Sequence, residues 1–153
     1  MSYRLRKQIL AELEQLHRLV EVHRPLLDRG PDAPPSAVEV SALGALLHSF
    51  YNGVENIFKR IALELDGELP RTASWHRDLL ESMARPARNR TAVISEPVRE
   101  RCKEYLAFRH GFRSAYSFLL EWERMAPLVL DCQGILDQLE AEVLAFLDAL
   151  PAH

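Results

Sequence analysis

Cysteine, lysine and long apolar runs are all scarce in this chain of 153 residues. The two cysteines, Cys102 and Cys132, are too few for a disulfide framework and do not have the spacing of a metal-binding pair. No stretch reaches the roughly 18 apolar residues that a membrane span requires, and the charged N-terminus lacks the apolar core of a signal peptide. These absences predict a soluble, cytoplasmic protein with no membrane association.

The motifs of the common cofactor-dependent classes are also missing. The sequence has no Gly-rich phosphate loop, no Glu-x-x-His pair of the di-iron bundles and no Cys/His cluster with zinc-ligand spacing. No serine lies in a nucleophile-elbow context. We therefore expect neither a metal site nor a nucleotide cofactor.

The net charge of −3, with a pI near 6.1, excludes a chain that is basic over its whole surface. Any contact with nucleic acid therefore requires a local cationic patch. Only three of the 19 cationic residues are lysine, and arginine favours fixed, bidentate contacts with phosphates or carboxylates.

Apolar residues recur with helical spacing almost throughout, and the sequence shows no strand alternation and no internal repeat. Pro25 should kink or end the first helix. The second helix, 37–65, is predicted to begin with a capping box formed by Ser36 and Glu39 and to stop at Gly67.

A short third helix is predicted at 75–83 with Ser74 as its cap, a fourth from Ser95, and a last one from near Pro127. The expected fold is a single all-α domain covering the whole chain (1–153), an antiparallel bundle of four long helices plus one short helix. The side chains expected to face inward are Leu13, Leu16, Val20, Leu47, Phe50, Val54, Phe58, Leu106, Phe112, Ile135, Leu139 and Phe146.

Arg109 and Arg113 lie four residues apart on one face of the fourth helix, where like charges repel each other. Neither has a carboxylate three or four residues away, and Tyr105 and Tyr116 are among their neighbours. The pair is compatible with an external anion such as an RNA phosphate, with acids on another helix or protomer, or with a solvated face.

Three more polar groups each have a chemical and a structural interpretation. A polar strip on the second helix consists of His48, Tyr51, Asn52 and Glu55. These side chains could perform acid–base chemistry, or they could form a polar cluster at an interface with their hydrogen bonds satisfied. The run 75–78 (Trp-His-Arg-Asp) either belongs to a functional site or forms a helix cap with an aromatic anchor. The loop 85–92 could touch RNA or an acidic partner, or lie in solvent; its arginines are Arg85, Arg88 and Arg90.

Five segments, in order along the chain, carry a resemblance to a known family. They are 47–55 (LHSFYNGVE), 69–80 with its Trp-His-Arg-Asp-Leu-Leu, 93–96 (VISE), 108–116 (FRHGFRSAY) and 121–124 (EWER). Together they resemble the HepT-like branch of the HEPN superfamily. The segments around Trp75 and Arg109 are the specific parts.

The resemblance implies a small all-α protein that usually dimerises. Many members are metal-independent ribonucleases and act as toxins of toxin–antitoxin pairs. Their partner is commonly a minimal nucleotidyltransferase (MNT). The signature is an arginine, four to six residues and a histidine, often followed after one residue by a tyrosine that the partner can adenylylate.

By resemblance, Arg109 matches the signature arginine and Tyr116 the modifiable tyrosine, but Ser114 stands where the histidine is expected. A hydroxyl titrates far above neutral pH and arginine stays protonated. The replacement should therefore remove an acid–base contribution of about a hundred- to ten-thousand-fold in rate. His110, which shares a helix face with Ser114, is the candidate substitute.

Two hypotheses follow from the resemblance. In the first, the chain is the HepT-like toxin of a HEPN/MNT pair, a homodimeric, metal-independent RNA endonuclease in which Arg109 contacts the scissile phosphate. Its auxiliary RNA contacts would come from Arg113, Arg85, Arg88 and Arg90. In the second, which Ser114 favours, it is a non-catalytic HEPN partner or antitoxin that binds a minimal nucleotidyltransferase.

Overall fold

The computed structural model describes residues 2–29, 33–114 and 120–151, which form helices and connecting loops with no β-strand. The helices are α1 (Ser2–Val22), α2 (Arg24–Leu27), α3 (Ala37–Ile61), α4 (Trp75–Met83), α5 (Glu96–Ser114) and α6 (Trp122–Ala149). The all-α prediction is therefore confirmed. Among the described residues, no helix is both long and apolar enough to cross a membrane.

The chain breaks and restarts near Pro25, as the sequence predicts. α1 ends at Val22, and Pro25 lies in the first turn of the four-residue helix α2. Proline is tolerated there because a first-turn residue has no intrahelical partner for its N–H.

Both predicted ends of the second long helix are present in α3. The Ser36 hydroxyl accepts a hydrogen bond from the backbone N–H of Glu39 (3.2 Å), and the Glu39 carboxylate accepts one from the N–H of Ser36 (2.9 Å). After α3 the chain makes one wider π-helical turn, Ala62–Asp66, and then stops at Gly67. Gly67 has a φ of +85°, a left-handed conformation that glycine adopts without the steric cost of a Cβ atom.

One of the predicted helix starts is wrong. α6 begins at Trp122 rather than near Pro127 and carries the proline inside its second turn. Because Pro127 has no N–H, it cannot donate to the carbonyl of Glu123, an exposed residue in the first turn of the helix. α4 has the predicted bounds, but Ser74 at its N-cap makes no side-chain bond to the backbone; instead, the Thr72 hydroxyl donates to the Asp78 carboxylate (2.5 Å).

α3 is the central element of the bundle and contacts α1, α4, α5 and α6. Its Gly53 lies so close to α1 that an added Cβ would stand 2.5 Å from a methyl group of Leu16. Ten of the twelve predicted inward residues are buried. The prediction was wrong for Leu106 and Phe112, which are only partly buried because their positions on α5 face the edge of the bundle rather than its centre.

Candidate functional site

Arg109 is buried where α5 crosses α3. Its Nη1 donates to the Asn52 side-chain oxygen (2.8 Å) and to Glu55 Oε1 (3.2 Å), and its Nη2 donates to Glu55 Oε2 (3.1 Å). The guanidinium also lies 5.1 Å from the centre of the Tyr51 ring. Of the alternatives for Arg109, the structure therefore selects an acid on another helix.

His76, on α4, completes this buried cluster. Its Nδ1 lies 3.0 and 2.9 Å from the two carboxylate oxygens of Glu55 and 3.0 Å from Nη2 of Arg109. An ionised carboxylate only accepts hydrogen bonds, so the proton of the imidazole belongs on Nδ1 facing Glu55. Arg109 cannot donate to a nitrogen that carries a hydrogen, and its N–H groups serve Glu55 and Asn52 instead. Nε2 of His76 is then the nitrogen that keeps a lone pair.

The aromatic neighbour of His76 fixes the plane of its ring. The Trp75 and His76 rings stack with their centres 3.7 Å apart, and the ammonium of Lys59 lies 5.3 Å from the Trp75 ring. The imidazole is therefore held on one face by an indole and on one edge by a carboxylate.

A groove of about 490 Å³ opens between α4 and α5 beside this cluster. Its lining contains basic and apolar side chains, one serine and no carboxylate: Ala73, Ser74, His76, Arg77, Lys103, Leu106, Ala107, Arg109 and His110. The one acidic group of the cluster, Glu55, is 3% exposed behind it. The groove is therefore a local cationic patch on a chain with net negative charge.

The predicted residues on α5 differ in where they lie. His110 is exposed and lines the groove beside Arg109. Arg113 and Ser114 belong to the last turn of α5, but their side chains lie outside the described residues, as does Tyr116 altogether.

The loop arginines divide into one buried and two exposed side chains. Arg90 is buried; its Nε and Nη2 donate to the two oxygens of Asp66 (2.8 and 3.0 Å). Its remaining N–H groups donate to backbone carbonyls of residues 82, 85 and 91, which closes the loop on itself. Arg85 and Arg88 are exposed and are not part of the groove lining. Arg90 thus holds the loop and is not presented to a ligand.

Two buried ionisable groups near the site, Tyr51 and Cys102, have raised pKa values. Burial holds the pKa of Tyr51 well above its usual range, and the Tyr51 hydroxyl has no hydrogen-bond partner among the described residues. Burial also raises the pKa of the Cys102 thiol to about 12. Neither group is poised to give up a proton near neutral pH. Among the described residues, no group of three or more His, Cys, Asp or Glu side chains is arranged to hold a metal ion.

Sequence reasoning missed the central pairing of the site. It treated Glu55 as a member of a helix-surface strip and His76 as part of a helix start, whereas the fold joins both to Arg109. The available signal was an absence: Arg109 has no carboxylate three or four residues away on its own helix, so a partner from another helix was to be expected.

Comparison with known proteins gives one match. No curated protein and no solved structure matches the chain significantly. The model of a family described as HepT-like protein matches residues 42–150, which include Asn52, Glu55, His76 and Arg109. The chain therefore belongs to the HepT-like protein family.

Proposed function

We propose that this chain is the HepT-like toxin of a HEPN/MNT pair and that it binds and cuts RNA without a metal ion in the groove between α4 and α5. The observation that carries the proposal is the composition of that groove. It presents Arg77, Lys103 and the edge of Arg109 beside two imidazoles, with no carboxylate in its lining. Such a surface attracts a polyanion and does not repel it at short range.

The basic residues of the groove have different tasks in this proposal. Arg77 and Lys103 attract the RNA backbone, and Arg109 offers the scissile phosphate a guanidinium whose orientation is fixed by Glu55 and Asn52. His110 provides an imidazolium that protonates the leaving 5′-oxygen. The exposed Arg85 and Arg88, together with Arg113 at the end of α5, extend the contact to neighbouring nucleotides.

The remaining parts of the proposal are taken from the resemblance to HEPN toxins. A second copy of the chain would pair with the first to form a homodimer, and a minimal nucleotidyltransferase would silence the toxin by modifying Tyr116. The reaction needs no cofactor, since the groups that move protons are imidazoles. We assign the protein to the cytoplasm, where its RNA substrate is found.

A non-catalytic role is the second candidate, and two observations favour it. Ser114 stands where the family signature has histidine. In addition, the guanidinium of Arg109 is already bound by Glu55, with only 5% of the residue exposed. A guanidinium paired in this way contributes less to a phosphate than a free one. In this role the same groove would serve the nucleotidyltransferase rather than RNA.

The two candidates are separated by incubating the purified chain with cellular RNA in EDTA beside two variants. In the first variant, Arg77→Ala and Lys103→Ala are combined. Lys7→Ala, which removes one positive charge from an exposed position on α1, is the control for charge loss outside the groove. The second variant is Ser114→His. Cleavage by the chain as it is, reduced in the double variant and unchanged in Lys7→Ala, supports the endonuclease. Cleavage only after Ser114→His supports the non-catalytic role.

A further inference from the structure

The buried contact between Glu55 and His76 places a proton acceptor in the wall of the groove. We infer that His76 is the general base of this site, taking the proton from the RNA 2′-hydroxyl, and that Glu55 is its positioning residue. This inference rests on the proposed function. It supplies, from α4, an acid–base group that Ser114 cannot provide on α5.

The geometry of the imidazole carries the inference. Nδ1 faces inward and lies within 3.0 Å of both oxygens of Glu55. Nε2 is on the opposite edge of the ring, and it makes no hydrogen bond with the described residues. One third of the His76 side chain is exposed, and His76 is among the residues that line the groove. The nitrogen with the free lone pair is therefore the one that a ligand in the groove meets.

The buried carboxylate of Glu55 orients the imidazole of His76 and stabilises the positive charge that the imidazole acquires. Glu55 is 4% exposed at its side chain, so water does not compete for its oxygens. It fixes the tautomer with hydrogen on Nδ1, and it stabilises the imidazolium that forms when Nε2 accepts a proton. A carboxylate with two oxygens can serve Arg109 and His76 together, because each oxygen accepts more than one hydrogen bond.

Several charged groups act on His76 in addition to Glu55. Arg109 and His110 approach from α5, as does Lys103 across the groove, and Arg77 follows His76 on α4. Arg77, Lys103 and Arg109 attract a phosphate backbone into the groove beside the imidazole.

The step that we assign is an internal transesterification, and its atoms balance. Nε2 of His76 removes the proton of a 2′-hydroxyl, and the 2′-oxygen forms a bond to the adjacent phosphorus. The bond between phosphorus and the 5′-oxygen breaks, and that oxygen takes a proton from the His110 imidazolium. The products are a 2′,3′-cyclic phosphate and a 5′-hydroxyl end, so neither water nor a metal ion enters the step.

The chain contains a matched control for this assignment. His17 Nε2 lies 2.9 Å from Glu140, in a second histidine–carboxylate contact that bridges α1 and α6. His17 is not part of the groove lining. His17→Ala therefore removes a histidine of similar exposure without touching the proposed base.

The test compares His76→Asn, His17→Ala and the unaltered chain on a fluorogenic RNA oligonucleotide in EDTA across a pH series. Asparagine retains an N–H that can reach Glu55 and removes Nε2, so thermal unfolding should remain close to that of the unaltered chain. We expect His76→Asn to lower the cleavage rate about a hundred- to ten-thousand-fold and to remove the rising limb of the pH–rate profile. Binding of the same RNA with 2′-O-methyl groups should stay within about threefold.

The possible results distinguish a failure of the His76 inference from a failure of the proposed endonuclease function. Cleavage by folded His76→Asn at a rate close to that of the unaltered chain, with its rising limb intact, overturns the role of His76 and leaves the endonuclease standing. A chain that neither cleaves RNA nor binds the 2′-O-methyl RNA overturns the proposed function itself. If the unaltered chain binds the 2′-O-methyl RNA but does not cleave RNA, both the endonuclease and the role of His76 as general base are overturned, and only RNA binding is retained.

Discussion

Arg109 and Glu55, which lie on different helices and are both almost completely buried, form a two-pronged ion pair with N–O distances of 3.2 and 3.1 Å. Two charges removed from water in this way stabilise each other only as a pair. The same carboxylate holds the imidazole of His76. The pair therefore links the packing of α3 against α5 to the chemistry of the groove.

The first prediction concerns stability. Arg109→Ala leaves Glu55 as an uncompensated buried carboxylate and should lower the free energy of unfolding by about 3–5 kcal/mol. Combining Arg109→Met with Glu55→Gln should cost less than the sum of the single changes, because neither charge is then left alone. Urea unfolding of the unaltered chain, Arg109→Met, Glu55→Gln and the double variant measures this coupling, and Arg109→Ala is unfolded beside them. A loss below about 1 kcal/mol in Arg109→Ala would mean that the ion pair is solvated.

This prediction also determines how activity is tested. A loss of RNA cleavage in Arg109→Ala could arise from local unfolding as readily as from a lost phosphate contact. Arg77 and Lys103 are better probes, because the structure shows no ion pair for either side chain with the described residues.

The second prediction concerns the salt dependence of RNA binding. Each phosphate contact that is lost should reduce the slope of log K against log salt concentration by roughly 0.7, the value for single strands. Arg77→Ala and Lys103→Ala should each do so, and Lys7→Ala should leave the slope unchanged. Fluorescence anisotropy between low and high salt measures the slopes. Equal slopes in all four proteins would place the RNA elsewhere on the surface.

The third prediction concerns the thiols. Burial raises the pKa of both Cys102 and Cys132 to about 12. At pH 8 only about one thiol in ten thousand would be ionised, so neither should react with a disulfide reagent in the folded chain. Both should react at once in urea. Rapid labelling of a thiol in the native protein would show that the bundle opens around Cys102 or Cys132.

The fourth prediction compares the stability lost on truncating a buried phenylalanine, Phe58, with that lost at a partly buried one, Phe112. Phe58 is fully buried, and Phe58→Ala should cost about 3–5 kcal/mol. Phe112 is partly buried; it stacks on Phe108 and contacts the ring of His48, so Phe112→Ala should cost less. Thermal and urea unfolding of both variants measure the difference. Equal losses would indicate that Phe112 is covered in solution.

Helices and their ends were largely predictable because their signals are local. The capping box of Ser36 and Glu39 involves residues three apart, and Gly67 acts at its own position. The apolar stripes place most of the core. The start of α6 was not predictable from Pro127, because a proline near the start of a helix removes one backbone hydrogen bond and does not always end the helix.

The candidate site was less predictable because it is made by tertiary packing. Arg109 and His110 stand out in the sequence, but nothing local shows that Glu55 and His76 meet there, 54 and 33 residues away along the chain. Arg90 and Arg88 are equally basic in the sequence, yet one is buried against Asp66 and the other is exposed. Burial of a charge depends on its partner, and the partner is known only from the fold.

The most direct measurement is RNA cleavage by the purified chain in EDTA, beside a folded variant that combines Arg77→Glu with Lys103→Glu. We predict that the unaltered chain cuts RNA to products ending in a 2′,3′-cyclic phosphate and a 5′-hydroxyl, and that the charge-reversed variant does not. Intact RNA after incubation with the folded, unaltered chain would contradict the proposed endonuclease.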